Sequence, residues 1–475
     1  MSVQPIGLVV IVVGFACLLF GVRFSLFALA AASLLGAAAA LYLGASGQVQ
    51  PGHLLLAFVV PAVLSRRQAM TAALRGLVYP RPGFWLAFAT AFGVAGAMLL
   101  PRIFAGATEI NAIGQSEVGT TIMLTPLAPV GGNMTQTVYL VADLACFVTV
   151  VGAGAIRGGA STLAKAMVAY AALNVVFALL DVGTYYTGIA VLLDPIRNAQ
   201  YVLHLDEVTS GMKRIAGSFT ETASFSTATL GALGFTGTLW LHGRWPLITG
   251  PLAAASVVLL VLSTSSTGLV GGPLLLVLLY ATALRRIGRG RGTRLAKTFV
   301  VTAPVLAVVA VAVVALSPSV SSSILDYLNV LLFDKASSQS GIERASWNAA
   351  ALRNFFDTDG FGAGLGSVRA SSFLVAVPAN LGLPGVIFFV AFFWQALGRA
   401  GRDGGPEADL RVAARNGCLG LLLAAAVSGA LVDLGLQFYF LAGLASTDFT
   451  RVTRRAAPFL GSPMMRAAAL RESLA

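Results

Sequence analysis

Charge is scarce in this chain. Only 11% of residues are Asp, Glu, Lys or Arg, while 57% are hydrophobic and the mean hydropathy is +0.85, which excludes an ordinary soluble domain and a disordered segment. Acids are scarcer than bases, 19 against 31, leaving a net charge of +12. Cysteine is nearly missing: Cys17, Cys146 and Cys418 lie singly in apolar runs, without the spacing of a disulfide framework or a metal site. Strict alternation of apolar and polar residues is missing too, which excludes a membrane β-barrel. No 20–50-residue repeat is visible. The first apolar run has no charged residue ahead of it and no small-residue cleavage site, so it is expected to be a retained helix and not a signal peptide.

What the chain does have is long apolar runs. A bilayer span needs about 20 apolar residues, and a backbone in lipid must satisfy its own hydrogen bonds, so an all-α polytopic transmembrane bundle is expected. Runs fall near 5–21, 24–44, 52–64, 83–103, 135–154, 166–182, 226–241, 247–263, 267–284, 298–316, 373–397, 413–432 and 435–448. They predict about 11–13 spans in one membrane domain, 1–450, followed by a basic tail, 451–475. The run 52–64 is short enough for a half-span, and Ser-Thr-Ser-Ser-Thr-Gly at 263–268 reads as a break within one region.

The positive-inside rule sets the expected orientation. Arg23, the 65–81 loop, Arg157 with Lys165, Arg244, the 285–297 block, the 398–415 loop and the tail after 450 hold 23 of the 31 basic residues, and they alternate as one side. Three long loops remain for the other side, 104–134, 183–225 and 317–372, with none, three and four basic residues; Arg102 stands at a boundary. The positive charge is thus mostly an orientation signal. Scattered over short loops without interleaved aromatics, it does not suit nucleic acid.

Function is expected in the long loops. The first candidate segment, Gly211 to Leu230, carries Lys213, Arg214 and Glu221 at the entrance to an apolar run. Lys213 and Arg214 read either as functional cations or as side chains snorkelling to lipid phosphate. The second loop runs from a Ser-rich turn through an amphipathic segment, 324–333, to G-I-E-R-A-S-W-N-A-A-A-L-R-N-F-F-D-T-D-G-F-G-A-G-L-G-S-V-R-A-S-S at 341–372. Trp347, Ala350, Ala351, Phe355 and Phe356 fall at helical spacing, with Arg344 and Arg353 between them, predicting an interfacial helix over 342–356. Arginines on this side suit a diphosphate or another anion, because the guanidinium stays charged and presents a planar fork of donors. Gly360, Gly362, Gly364 and Gly366 admit two readings: a backbone nest approaching phosphate, or a tight re-entry into the membrane. Glu343 reads as an ion-pair partner of Arg344 or as a general base. His204, in Y-V-L-H-L-D-E, is a lone histidine, a type more often packed or surface than catalytic.

These features resemble the O-antigen polymerase and O-antigen ligase superfamily, the Wzy-type enzymes of bacterial envelopes. The resemblance rests on R-I-A-G-S-F-T-E at 214–221, L-S-T-S-S-T-G at 262–268, E-R-A-S-W-N-A-A-A-L at 343–352 with G-F-G-A-G-L-G-S at 360–367, and A-N-L-G-L-P-G at 379–385. Together they cover about 170 residues, in the same order relative to the spans. Two departures matter. Ser-Ser-Thr-Gly at 265–268 stands where many members have Thr-x-Ser-Arg-Gly, and Ser371-Ser372 stands where many have His-Asn. The missing histidine is the ligase subgroup's usual catalytic candidate, so the chain looks more like the exopolysaccharide polymerase branch.

The resemblance implies a GT-C-like membrane glycosyltransferase of the inner membrane. It would transfer glycan from undecaprenyl diphosphate to a sugar hydroxyl of another lipid-linked repeat, on the extracytoplasmic face. The implied catalytic residues are Arg214, Arg344 and Glu221; Arg369, Glu343, Ser371, Ser372 and Arg353 would contact substrate. No cofactor or metal is implied. Partners would be the lipid-linked oligosaccharide and bilayer, with chain-length regulator and flippase proteins. The rival readings are a ligase of the same superfamily and a flippase or transporter; inverted repeats or basic residues deep in several helices would favour the last, and neither is found.

Overall fold

The structure, a computed structural model, describes residues 2–43, 47–111, 124–200, 203–205, 207–209, 212–318, 321–322, 329, 339–398 and 405–447. The 451–475 tail and all but one residue of the 324–333 segment lie outside the described residues.

The chain is an all-α polytopic membrane bundle. Its helices are α1 (Pro5–Phe20), α2 (Val22–Ala32), α3 (Pro51–Leu64), α4 (Arg67–Gly76), α5 (Pro82–Ile103), α6 (Gly131–Gly154), α7 (Gly159–Thr187), α8 (Thr222–Leu241), α9 (Pro246–Leu262), α10 (Ser266–Gly288), α11 (Arg294–Leu316), α12 (Gln339–Asp357), α13 (Phe373–Gly398), α14 (Pro406–Ser428) and α15 (Gly435–Ser446). Seven of the described helices, α5, α6, α7, α10, α11, α13 and α14, are long and apolar enough to cross a membrane. α3 and α4 make a further, broken segment bent by 112°, in keeping with a half-span at 52–64. The 24–44 run is not one span: its helix stops at Ala32, and Leu41–Leu43 becomes the middle strand of a small antiparallel sheet with Ser2–Val3 and Gly47–Val49. Hydrophobicity located that run; helical continuity was a separate matter.

Long and short connections segregate. Residues 33–43, 47–50, 104–111, 188–200, 212–221, 358–372 and 429–434 interlock at one end, here the loop face: Ala37 N donates to Ser218 O, Tyr139 Oη to Gln48 O, Arg369 N to Asn111 O and Ala370 N to Ala430 O. The opposite end carries the short basic connections, where Asp409 receives Arg244 Nε at 3.3 Å and Arg286 Nη1 at 2.6 Å. α8 lies at the centre, buried along nearly its whole length. Glycines admit its neighbour α14: a Cβ on Gly234 would stand 2.4 Å from Asn416 O. Asn416, buried there, donates to Thr238 Oγ1 and Thr282 Oγ1, so its amide costs little in the apolar interior. α11 faces outward along most of its length, as a lipid-exposed helix should.

Candidate functional site

α12 matches the amphipathic helix expected at 342–356 and lies over the loop face. Its Arg344, Trp347, Asn348 and Ala351 follow an i, i+3, i+4, i+7 stripe and so share one side. That side meets the turn leading into α13. The Arg369 guanidinium lies 4.4 Å from the Trp347 ring centroid, and Asn348 Oδ1 accepts from Ser371 N at 2.8 Å. A cation over an indole face is held by about 0.5–2 kcal/mol while keeping its outward donors. The far end of α12 is tethered as well, since Asn354 donates to Thr108 Oγ1 and Glu109 O, and Thr108 donates to Asp357 at 2.6 Å. Ala351, Ile110, Leu127, Ala363, Val368 and Ala376 form a small apolar core beneath. Arg353 is exposed, half a helical turn round from Arg344 after nine residues, and Glu343 is half-buried.

The glycines are a plug. Gly360, Gly362, Gly364 and Gly366 have φ of 76°, 83°, 97° and 81°, a region costly to other residues. Ala363 N and Gly364 N donate to Ala379 O and Asn380 O, while Gly366 N and Val368 N donate to Asn380 Oδ1, both at 3.1 Å. Asn133 Nδ2 donates to Leu365 O and to Ser367 Oγ. With those amides engaged inside the protein, re-entry and not a phosphate nest accounts for the turn. It fits because α13 is broken at Gly382 (φ 60°, ψ −164°), which frees Leu383 N to donate to Gly360 O.

Ser372 Oγ donates to Ala426 O, and Ser371 is buried, so this pair fastens the turn to α14. The Ser/Thr stretch at 263–268 is likewise internal. Thr264 takes a positive φ of 51° between α9 and α10, Ser263 and Ser226 hydroxyls lie 3.1 Å apart, and Thr267 donates to Ser428 Oγ.

Arg214 stands on a separate support. Its guanidinium pairs with Glu207, which also lies 3.1 Å from His204 Nδ1, and its side chain is 22% exposed. Glu221 occupies the N-cap position of α8 without a side-chain capping bond and accepts weakly from Ser224 Oγ at 3.5 Å. Beneath them Asp181 organises the loop. It accepts from Arg197 at 2.6 Å, Lys213 at 2.8 Å, and the amides of Ala216 and Gly217 at 2.9 Å. Lys213 is therefore buried and ion-paired, and does not snorkel.

Sequence reasoning also passed over Asp143, His53, Asp433 and Tyr439. Asp143 is fully buried midway along α6, and neither of its oxygens has a hydrogen-bond donor. The signal was there: an acid within the apolar run 135–154 is rare enough to be a functional candidate on its own. Compared with protein-family models, curated proteins and solved structures, the chain matches none.

Proposed function

We propose that the chain is a bacterial inner-membrane polymerase of surface polysaccharide or exopolysaccharide, working on its extracytoplasmic face. It transfers glycan from undecaprenyl diphosphate to a sugar hydroxyl of another lipid-linked repeat. The observation that carries this reading is the Arg369 guanidinium stacked on Trp347, on the side of α12 that also bears Arg344, at the face where the long loops converge. Two cations on a rigid support suit a diphosphate, whose negative charge grows as the glycosyl bond breaks. Arg214 reaches the same face from the neighbouring loop, and Glu221 and Glu343 supply carboxylates there. The basic short loops opposite fit the cytoplasmic side. The donor already holds the activation, so the protein has to align donor and acceptor and stabilise the leaving group.

The lipids of a deletion strain test the reading. A polymerase defect leaves single repeats on the lipid, a ligase defect leaves long chains on it, and a flippase defect traps repeats on the inner face. Unchanged surface polysaccharide and unchanged lipid precursors would sink all three.

A further inference from the structure

Four elements bring polar groups to one place in the loop-face half of the bundle, and those of Asp143, His53 and Tyr439 have no hydrogen-bond partner. α6 contributes Gln136, Tyr139, Asp143 and Cys146, spaced at three and four residues and hence on one side. The turn that carries Asp433 packs on this side of α6: Cys146 Sγ lies 3.8 Å from Leu436 O, and the Asp433 carboxyl, which accepts from Gly435 N at 2.6 Å, lies within reach of Asp143. Tyr439 of α15 is wholly buried with an unpartnered hydroxyl. His53 of α3 is 9% exposed, and its ring lies 4.5 Å from that of Tyr139. Neither of its nitrogens has a partner.

Two facing carboxylates are both acceptors, so one must carry a proton if they are to stay together out of water. No Lys or Arg among the described residues forms an ion pair with either; Arg197 and Lys213 are held by Asp181 and Arg214 by Glu207. Access is one-sided. Asp433 is half-buried at the loop face and Asp143 is fully buried behind it, and α6 continues inward with the apolar Phe147 and Val150. The Asp433 turn is also bonded to the Arg369 turn, through Ala370 N to Ala430 O at 3.2 Å.

We propose that Asp143 and Asp433, with His53 beside them, form a proton-binding site open to the loop face, which takes up the proton of the acceptor hydroxyl. The binding stands by itself; the role of the proton rests on the polymerase reading. In the step, the acceptor O–H proton passes to the Asp433 carboxylate while the pair already shares one proton. The new C–O bond forms, and the glycosyl–phosphate bond breaks with its electron pair leaving on the diphosphate. The added proton then returns to water at the loop face. This supplies a base better connected to bulk water than a fully buried acid.

Infrared spectroscopy of the full chain in lipid nanodiscs tests the binding without any substrate. A protonated carboxylic acid band is expected near neutral pH, lost in Asp143→Asn and shifted in Asp433→Asn. If Asp143→Asn fails to reach the membrane, Asp433→Asn, at the less buried end, decides alone. Absence of the band in wild type, or its indifference to both substitutions, overturns the proposal, as does its removal when sodium replaces choline as the only salt cation. For the role, a deletion strain carrying Asp433→Asn should make roughly a hundredfold less polymer. Asp433→Glu, which keeps a carboxylate at the same place, should restore most of the polymer. Normal yield from Asp433→Asn, or no recovery in Asp433→Glu, overturns the role while leaving the infrared result to stand. A deletion strain with unaltered polysaccharide instead sinks the polymerase reading.

Discussion

Asp181 and Asp143 are nearly equal in burial, 1% and 0% exposed, and differ in almost everything else. Asp181, near the loop-face end of α7, has two cations and two backbone amides converging on it. Asp143, in the middle of α6, has no cation or backbone amide directed at it. An ionised carboxylate surrounded by donors is a fastening, since its charge is compensated and its lone pairs are used. A carboxyl left without donors in the same interior costs stability, and persists at functional sites where something other than the resting fold uses it. Burial alone does not separate the two kinds; the neighbouring donors do.

The contrast can be broken from either side. The largest effect is expected from Asp181→Ala, which strands Arg197 and Lys213 with side chains 5% and 2% exposed and no counter-charge. It should cost about 3–5 kcal/mol and sharply lower the amount of folded protein recovered in detergent, measured by thermal unfolding. Next is Gly366→Ala, another fastening. A Cβ there would stand 2.3 Å from Gly132 O on a left-handed backbone, for a loss of at least about 1–2 kcal/mol from backbone conformation alone. Asp143→Asn should behave oppositely, with an unfolding temperature at or above that of wild type while polymer is lost; equal destabilisation by Asp181→Ala and Asp143→Asn would erase the distinction. Arg344→Ala should shift stability by no more than about 0.5 kcal/mol yet abolish polymer, scored by glycan gel against a membrane immunoblot. Arg353→Ala, exposed on the other side of the same helix, should change neither readout.

Periodicity was enough to place α12 and to put Arg344 beside Trp347, because neighbours at three and four residues are a local property of a helix. The glycine run was visible as a turn, but what fills it was not: Asn380 and Asn133 come from helices on either side of it in the chain, and a side-chain amide in an apolar segment gives no sign of its target. The paired acids lay further out of reach. Asp143 and Asp433 are 290 residues apart, and only the packing of α15 on α6 brings them together. Arg214 shows the reverse difficulty, since its pairing with Glu207 is close in sequence but depends on the short ladder of Val208–Thr209 with Met212–Lys213. The 24–44 run shows that apolar composition measures preference for lipid, while the break after Ala32 depends on strand pairing with Ser2–Val3 and Gly47–Val49.

The broken helix α13 also dictates an order of events during synthesis. The glycine turn hydrogen-bonds to Ala379, Asn380 and Leu383, all of which leave the ribosome after it, and Ala370 is tied to Ala430 later still. The turn that seats Arg369 therefore cannot close while the chain is still short of α13 and the end of α14. The seat of Arg369 and the approach of Asp433 to Asp143 are completed only once α13, α14 and the turn after α14 have been made, so a chain ended before them carries neither.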